Sequence, residues 1–274
     1  MRRTPHKLCL LCKVRYATKR NSHIFPKFWV KSILGDDNQR EAYTVSSSAD
    51  KLGQKVQDSP KEDYILCPEC EAKFGILERY VANNFYNPFK NFNTSSDFTE
   101  IKSDDDDIDK IFAIKVDPIL FKLFIYSFVW RASIATHTVF VNFKLTTQDE
   151  ENLRLTLDSY VMNTERDTIE YYAQNQSEFV CLPFNIITTS VIPDTTANLI
   201  SPFNLDDGRL LLFANEFIIT MYLDWEAPNQ GNDSFNLGRQ LLCISVLPLN
   251  KWQEYHAMMV QMLVKHRGHN FKKN

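Results

Sequence analysis

Apolar and polar positions change rhythm several times along this 274-residue chain. The longest apolar run follows Asp117-Pro118, and from residue 119 to about 136 it holds neither glycine nor a further proline. A carboxylate cap, a first-turn proline and an apolar surface on all sides predict the central helix of a buried body. A second helix, amphipathic and charged, is expected from 147 to about 162. Beyond it the pattern shifts to β-branched apolar runs at 179–192, 210–223 and 240–248. Pro202, Asp206-Asp207-Gly208 and the Asn/Gly-rich stretch 229–233 punctuate these runs, which predicts an antiparallel sheet covered by the two preceding helices. A last helix is expected from about Lys251 to Lys265, followed by a basic tail containing His266, Arg267, Lys272 and Lys273.

Upstream the pattern is different. Residues 1–90 are rich in cysteine and basic side chains, and 91–110 form a polar connector ending in the acidic run Asp104 to Asp107, with Asp109 close behind. That run lacks the spacing of a calcium loop and reads as solvated. The organisation is therefore a cysteine module (1–90), a linker (91–110) and a body (111–274), and the fold class is α+β. The apolar run 119–141 is long enough to raise the question of a membrane span. Lys122 and Arg131 lie inside it, and a central Arg costs about 2.5–3.5 kcal/mol on insertion, so it reads as a buried helix. Arg131 and Asn215-Glu216 are polar intrusions in apolar segments, expected to satisfy each other through a buried Arg131–Glu216 pair.

Composition adds little, but charge distribution adds something. The formal net charge is −3, yet residues 1–31 carry nine Lys/Arg and no acid. Over residues 1–90 there are 16 basic against 10 acidic side chains, and the remainder holds 15 against 24. A basic module on an acidic body is the asymmetry expected when one part meets phosphate and the other a protein partner or solvent. No apolar leader precedes the first cysteines, so no signal peptide is expected, and the reading is a cytoplasmic chain with reduced thiols. Cys181 and Cys243 stand alone in apolar runs and read as buried small hydrophobes.

The informative chemistry is in two Cys-x-x-Cys pairs, Cys9/Cys12 and Cys67/Cys70, separated by 54 residues. Thiolates at this spacing turn tight knuckles onto one ion, so a closed, structural Zn²⁺ site is expected. The second pair opens a helical pattern, which gives a treble-clef arrangement. Between the pairs lies Ser22-His23-Ile24-Phe25-Pro26, and Glu71 follows the last cysteine at once.

Ser-His-Ile-x-Pro-Lys-Phe together with Leu-Cys-x-x-Cys-Glu resembles the HNH endonuclease pattern over roughly residues 6–80, as found in bacterial proteins suspected of roles in anti-phage defence. The resemblance implies that His23, with Pro26, is the general base for water attack on a phosphodiester. It places Asp63 near the residue that orients this base. It places Glu71 where a metal-binding His or Asn usually follows the last cysteine, and Ser22 where an acidic or histidine ligand usually stands. Glu71 is an acceptable ligand for Mg²⁺ or Mn²⁺. Glu78, seven residues on, shares a helix face with it and is either a second ligand or a surface acid. Arg15, Lys19, Arg20, Lys27 and Lys31 are the candidate phosphate contacts, and Phe25, Phe28 and Trp29 either stack on bases or pack beneath the knuckle. Two functions follow: a metal-dependent endonuclease acting on DNA in preference to RNA, and a non-catalytic zinc module that binds nucleic acid or a partner protein.

Overall fold

The computed structural model describes residues 3–34, 42–43, 55–56, 58–103, 108–140, 143–189, 200–205, 207–223, 235–236 and 241–270. The acidic run 104–107 and the segment 224–234 lie outside them, as do the side chains of the basic C-terminal tail. In chain order the elements begin with β1 (Ser22–His23), α1 (Lys27–Leu34), β2 (Ala42–Tyr43), β3 (Lys55–Val56), β4 (Lys61–Glu62), α2 (Pro68–Val81) and α3 (Asn87–Phe89). They continue with β5 (Phe98–Ile101), β6 (Asp109–Ala113), α4 (Pro118–Ile134), α5 (Thr147–Tyr160), α6 (Glu165–Gln174) and β7 (Phe184–Thr189). The last are β8 (Ile200–Asn204), β9 (Arg209–Ala214), β10 (Phe217–Tyr222), β11 (Leu242–Leu247) and α7 (Leu249–Asn270).

The architecture is organised around α4. Asp117 caps it as the sequence predicts, its carboxylate accepting from the amides of Ile119 and Leu120 at 2.9 and 3.1 Å, with Pro118 in the first turn. Every side chain from Ile119 to Ser133 is buried. A helix buried all round needs neighbours on all sides, and α4 has them: α2, α5 and α6 pack on it, and an apolar sheet face completes the enclosure. No described helix is long and apolar enough to cross a membrane. Thr146 and Thr164 cap α5 and α6 through their hydroxyls. The short helix α6 is an element that the 3.6-residue pattern had not disclosed.

The sheet has seven strands in the order β5-β6-β11-β7-β10-β9-β8. It is mixed and not purely antiparallel, because β11 runs parallel to β7, with Ser245 opposite Ile187. The meander β8-β9-β10 supplies the long crossover that a parallel pair requires. Pro202 does not interrupt a strand; it lies within β8, opposite Leu212, where an edge position tolerates the missing N–H. Residues 91–110 contribute β5 and the first residues of β6, so this stretch is part of the sheet as well as a connector. One face, with Phe184, Ile186, Leu212, Phe217 and Ile244, packs towards α4. The other, with Phe203, Leu211, Phe213 and Ile218, packs against Trp252 and Met259 of α7. The result is a helical layer, a sheet and a covering helix.

The cysteine-rich segment shares this core. Phe25 stacks on Phe128 of α4 at 5.5 Å between ring centroids, and Trp29 meets Phe124 and Phe128 edge-on. These rings therefore pack under the module and are not free for bases. Phe28 contributes the same way, against Phe124 and Tyr86. Residues from Cys9 to Val246 belong to a single continuous apolar cluster.

Because Phe128 joins both parts of that cluster, Phe128→Ala is expected to destabilise the chain by about 3–5 kcal/mol. Loss of far-UV circular dichroism and release of metal from the cysteines should move to lower denaturant together. Two separated transitions would show instead that the module folds by itself.

Candidate metal centre and candidate active site

The first knuckle is closed by a Leu8–Tyr16 bridge, with the Cys9 amide donating to the Arg15 carbonyl at 2.7 Å and the Lys13 amide to the Cys9 carbonyl at 2.9 Å. Lys13 adopts the left-handed φ of 54° that this tight return requires. The second knuckle doubles as a helix start: Cys67 is the N-cap of α2, its sulfur accepting from the Cys70 amide at 3.5 Å, and Pro68 fills the first turn. Backbone bonds from Leu10 to Ile65 (2.9 Å) and from Lys19 to Leu66 (3.2 Å) hold the two knuckles side by side.

These bonds bring the sulfurs of Cys9, Cys12, Cys67 and Cys70 within 4.8 Å of one another. A tetrahedron with Zn–S bonds of about 2.3 Å spaces its sulfurs about 3.8 Å apart, so four thiols in this compass are compatible with one zinc ion. Crowding also shows in the thiols themselves. Hydrogen bonding to Cys70 pulls Cys9 down to about 5, burial pushes Cys67 up to about 11, and the Cys9 thiolate holds Cys70 far above its ordinary value. Without a cation, burial and the Cys9 thiolate disfavour ionisation of Cys67 and Cys70; a bound cation would reverse that preference.

The body grips this centre. Arg154 of α5 is buried and donates to the Leu11 carbonyl, inside the first knuckle, at 2.6 Å. Glu151 bridges Arg154 (2.8 Å) and Lys13 (2.9 Å), and those two cations hold its carboxyl down at about 2.

His23 lies on β1, paired antiparallel with β4 so that it faces Lys61, while Ser22 faces Glu62. Two strands of two residues each cannot fix a side chain by themselves. The hairpin is instead tied to α4 at both edges. Arg131 donates from Nη1 to the His23 carbonyl at 2.7 Å, from Nε to the Ser127 carbonyl at 3.2 Å, and pairs through Nη2 with Glu78 at 2.7 Å. Its guanidinium also lies 5.3 Å over the Phe74 ring. On the other side the Glu62 carboxylate accepts from the amides of Thr136 and, at 2.7 Å, His137, and pairs with Arg3. The expected Arg131–Glu216 pair is thus replaced by Arg131–Glu78, because α2 and not the sheet edge meets that face of α4. Glu216 lies beside the Tyr86 hydroxyl at 3.5 Å, and burial raises its carboxyl.

Among the described residues, His23 Nδ1, Ser22 Oγ and Glu71 Oε2 are buried and find no hydrogen-bond partner. The Ser22 hydroxyl and the Glu71 carboxylate are neighbours, short of a formed bond. Burial lowers the His23 imidazole, helped by Lys61 and opposed by Asp58 and Glu78. Burial likewise raises the Glu71 carboxyl, against the pull of Ser22 and Arg131. Among the described residues, the four cysteines are the one group of three or more metal-type donors that converges; His23, Glu71 and Glu78 are not gathered into a second.

Asp63 touches a different residue from the one expected. It accepts from the Asn21 amide at 2.8 Å and faces Arg20, so it fixes the left-handed turn (Asn21 φ 56°) that launches β1. Asp58 and Lys61 are among the charges that His23 senses, and sequence reasoning missed both, along with Glu62 and Arg154. The one available signal was a buried arginine in an apolar helix, which demands partners without naming them. Of the basic residues, Arg15 and Arg20 face Glu69 and Asp63 across 3.7 and 3.9 Å, whereas Lys19, Lys27 and Lys31 form no ion pair among the described residues. No protein-family model, curated protein or solved structure matches the chain.

Native mass spectrometry should find one zinc per chain, and Cys9→Ser or Cys70→Ser should lose it. Chelation should also lower the melting temperature, since binding free energy at such sites is folding free energy. A chain that melts identically with and without chelator contradicts the metal centre.

Proposed function

We propose that the chain is a phosphodiester hydrolase of HNH-like type, acting on DNA in preference to RNA, with His23 as general base beside a structural zinc. The observation that carries this reading is that Ser22 Oγ, His23 Nδ1 and Glu71 Oε2 are buried with no hydrogen-bond partner among the described residues. Such atoms are costly to leave unpaired, and all three belong to residues that the resemblance puts at the site. The chain order of knuckle, hairpin and helix supports the treble-clef part of this reading.

Burial keeps the His23 ring neutral, so it holds a lone pair for a proton from water. In the proposed step the water oxygen bonds to phosphorus, its proton passes to the imidazole, and the P–O bond to the leaving sugar oxygen breaks. Arg131 fixes the strand that carries the ring by holding the His23 carbonyl. Glu71 is the residue that would hold a hard cation, Mg²⁺ or Mn²⁺, which supplies Lewis-acid stabilisation of the phosphoryl charge when bound. Lys27 and Lys31 of α1 and Lys19, exposed and without an ion pair among the described residues, offer cations to the phosphates. An effector role in phage defence rests on the resemblance alone.

A second reading has its own support. Glu78 is committed to Arg131 and the hard-cation donors do not converge, which favours a non-catalytic module that binds nucleic acid, or a partner protein against the acidic body.

A plasmid-nicking assay with Mg²⁺ or Mn²⁺ separates the two. His23→Ala should cut the rate by about 10²–10⁴-fold, and equal rates, or no cleavage by the wild type, would remove His23 from the chemistry. Where cleavage is seen, the sign of its pH dependence is fixed. Protonation disables the base and the ring titrates below its ordinary 6.5, so the rate should hold down to that value and fall only at lower pH.

A further inference from the structure

Helix α4 buries a second cation, and its surroundings are chemically distinct. Lys122 is 0% exposed, and its Nζ lies 2.9 Å from Sγ of Cys181. Cys181 is half-buried, in the extended segment that crosses α4 just before β7, so it is not the enclosed small hydrophobe its sequence setting implied. The segment is pinned at that point. The Tyr126 hydroxyl donates to the Val180 carbonyl at 3.1 Å and accepts from the Leu182 amide at 2.7 Å. Lys122 also lies 5.7 Å from the Phe184 ring centroid. A nucleophilic nitrogen and a nucleophilic sulfur are therefore held in contact, the sulfur on a residue that is only half-buried.

We propose that Lys122 and Cys181 form a reversible nitrogen–oxygen–sulfur bridge when the chain meets a peroxide, a covalent modification site independent of His23 and of the cysteine knuckles. The first peroxide oxidises the thiol to a sulfenic acid and leaves as water. The second takes the remaining two electrons as the Lys122 amine bonds to the sulfenic oxygen, and leaves as two waters. One S–H and one N–H bond are lost in all, S–O and O–N bonds form, and two peroxides become three waters. Burial disfavours the ammonium at Lys122, against the pull of Cys181, and so favours the amine that the second step consumes. The 2.9 Å separation is short enough for a single oxygen to span with little movement of either side chain. The product replaces a buried ionisable pair with a neutral link and staples the segment before β7 to the central helix. Two equivalents of a dithiol return thiol, amine and one water.

Peroxide treatment of the zinc-loaded chain, followed by proteolysis and mass spectrometry, tests this. A peptide pair joining Lys122 to Cys181 should appear, heavier than the sum of its parts by one oxygen less two hydrogens. It should vanish with dithiothreitol and be absent from Cys181→Ser and Lys122→Met. The Lys122→Met chain keeps α4 apolar, and its fold can be checked by circular dichroism. Its Cys181 should stop at sulfenic or sulfinic acid. Wild-type Cys181 that also stops there, that joins another cysteine, or that stays a thiol while Lys122 is unmodified would overturn the bridge.

Discussion

The guanidinium of Arg131 is the constraint on which the described arrangement depends. It sits in a helix whose every face is apolar and enclosed, so its charge has no route to water. A cation so placed must be met by acceptors or the helix cannot be buried there. The acceptors come from three places: the Ser127 carbonyl one turn back, the His23 carbonyl of the β1/β4 hairpin, and Glu78 of α2. An apolar residue at this position could fill the same volume, but it would not dictate which strand and which helix approach. Stranding such a charge by removing a partner costs about 3–5 kcal/mol, enough to make the docking of the hairpin a condition of folding.

The same logic explains why a body of this size is attached to so small a metal module. Strands of two residues and knuckles of four carry little burial of their own, and a metal ion at the cysteines would fix only the four sulfurs. The hairpin gains its orientation from Arg131 and Glu62, and the first knuckle from Arg154 through the Leu11 carbonyl. In each case a charged side chain meets a backbone group, which fixes position more tightly than two apolar surfaces in contact. The aromatic packing of Phe25 and Trp29 on α4 supplies the burial, and the polar clamps set the register.

How much of this was legible in the sequence follows from how local each signal is. The cysteine cluster was readable because two residues of spacing determine a knuckle whatever surrounds it. The cap and course of α4 were readable because Asp117-Pro118 and an unbroken apolar run act within a few residues. The parallel pairing of β11 with β7 was not, since strand direction is set by a crossover of some fifty residues that leaves no local trace. Pro202 misled for a related reason: a proline breaks a central strand but is harmless at an edge, and edge position is a property of the whole sheet. The partner of Arg131 was misassigned because burial shows that a partner exists, and only the packing of α2 shows which one. Near His23, Asp63 was placed by its position in a motif and acts instead on the turn before β1.

The basic excess of the first 31 residues also changes meaning once its partners are known. Arg3 pairs with the buried Glu62 and so helps to build the fold, whereas Lys13 pairs with Glu151 at the surface. Arg15 and Arg20 face acids across 3.7 and 3.9 Å at exposed positions, where ion pairs are worth about 0–1 kcal/mol. Lys27 and Lys31 are one turn apart on α1 and exposed, directly after the strand that carries His23, and Lys27 is close enough for its charge to reach the imidazole. Among the described residues, the exposed cations without an ion pair thus include Lys27 and Lys31 on the α1 side of His23, whereas Lys13 and Arg154 beside the first knuckle are held by Glu151.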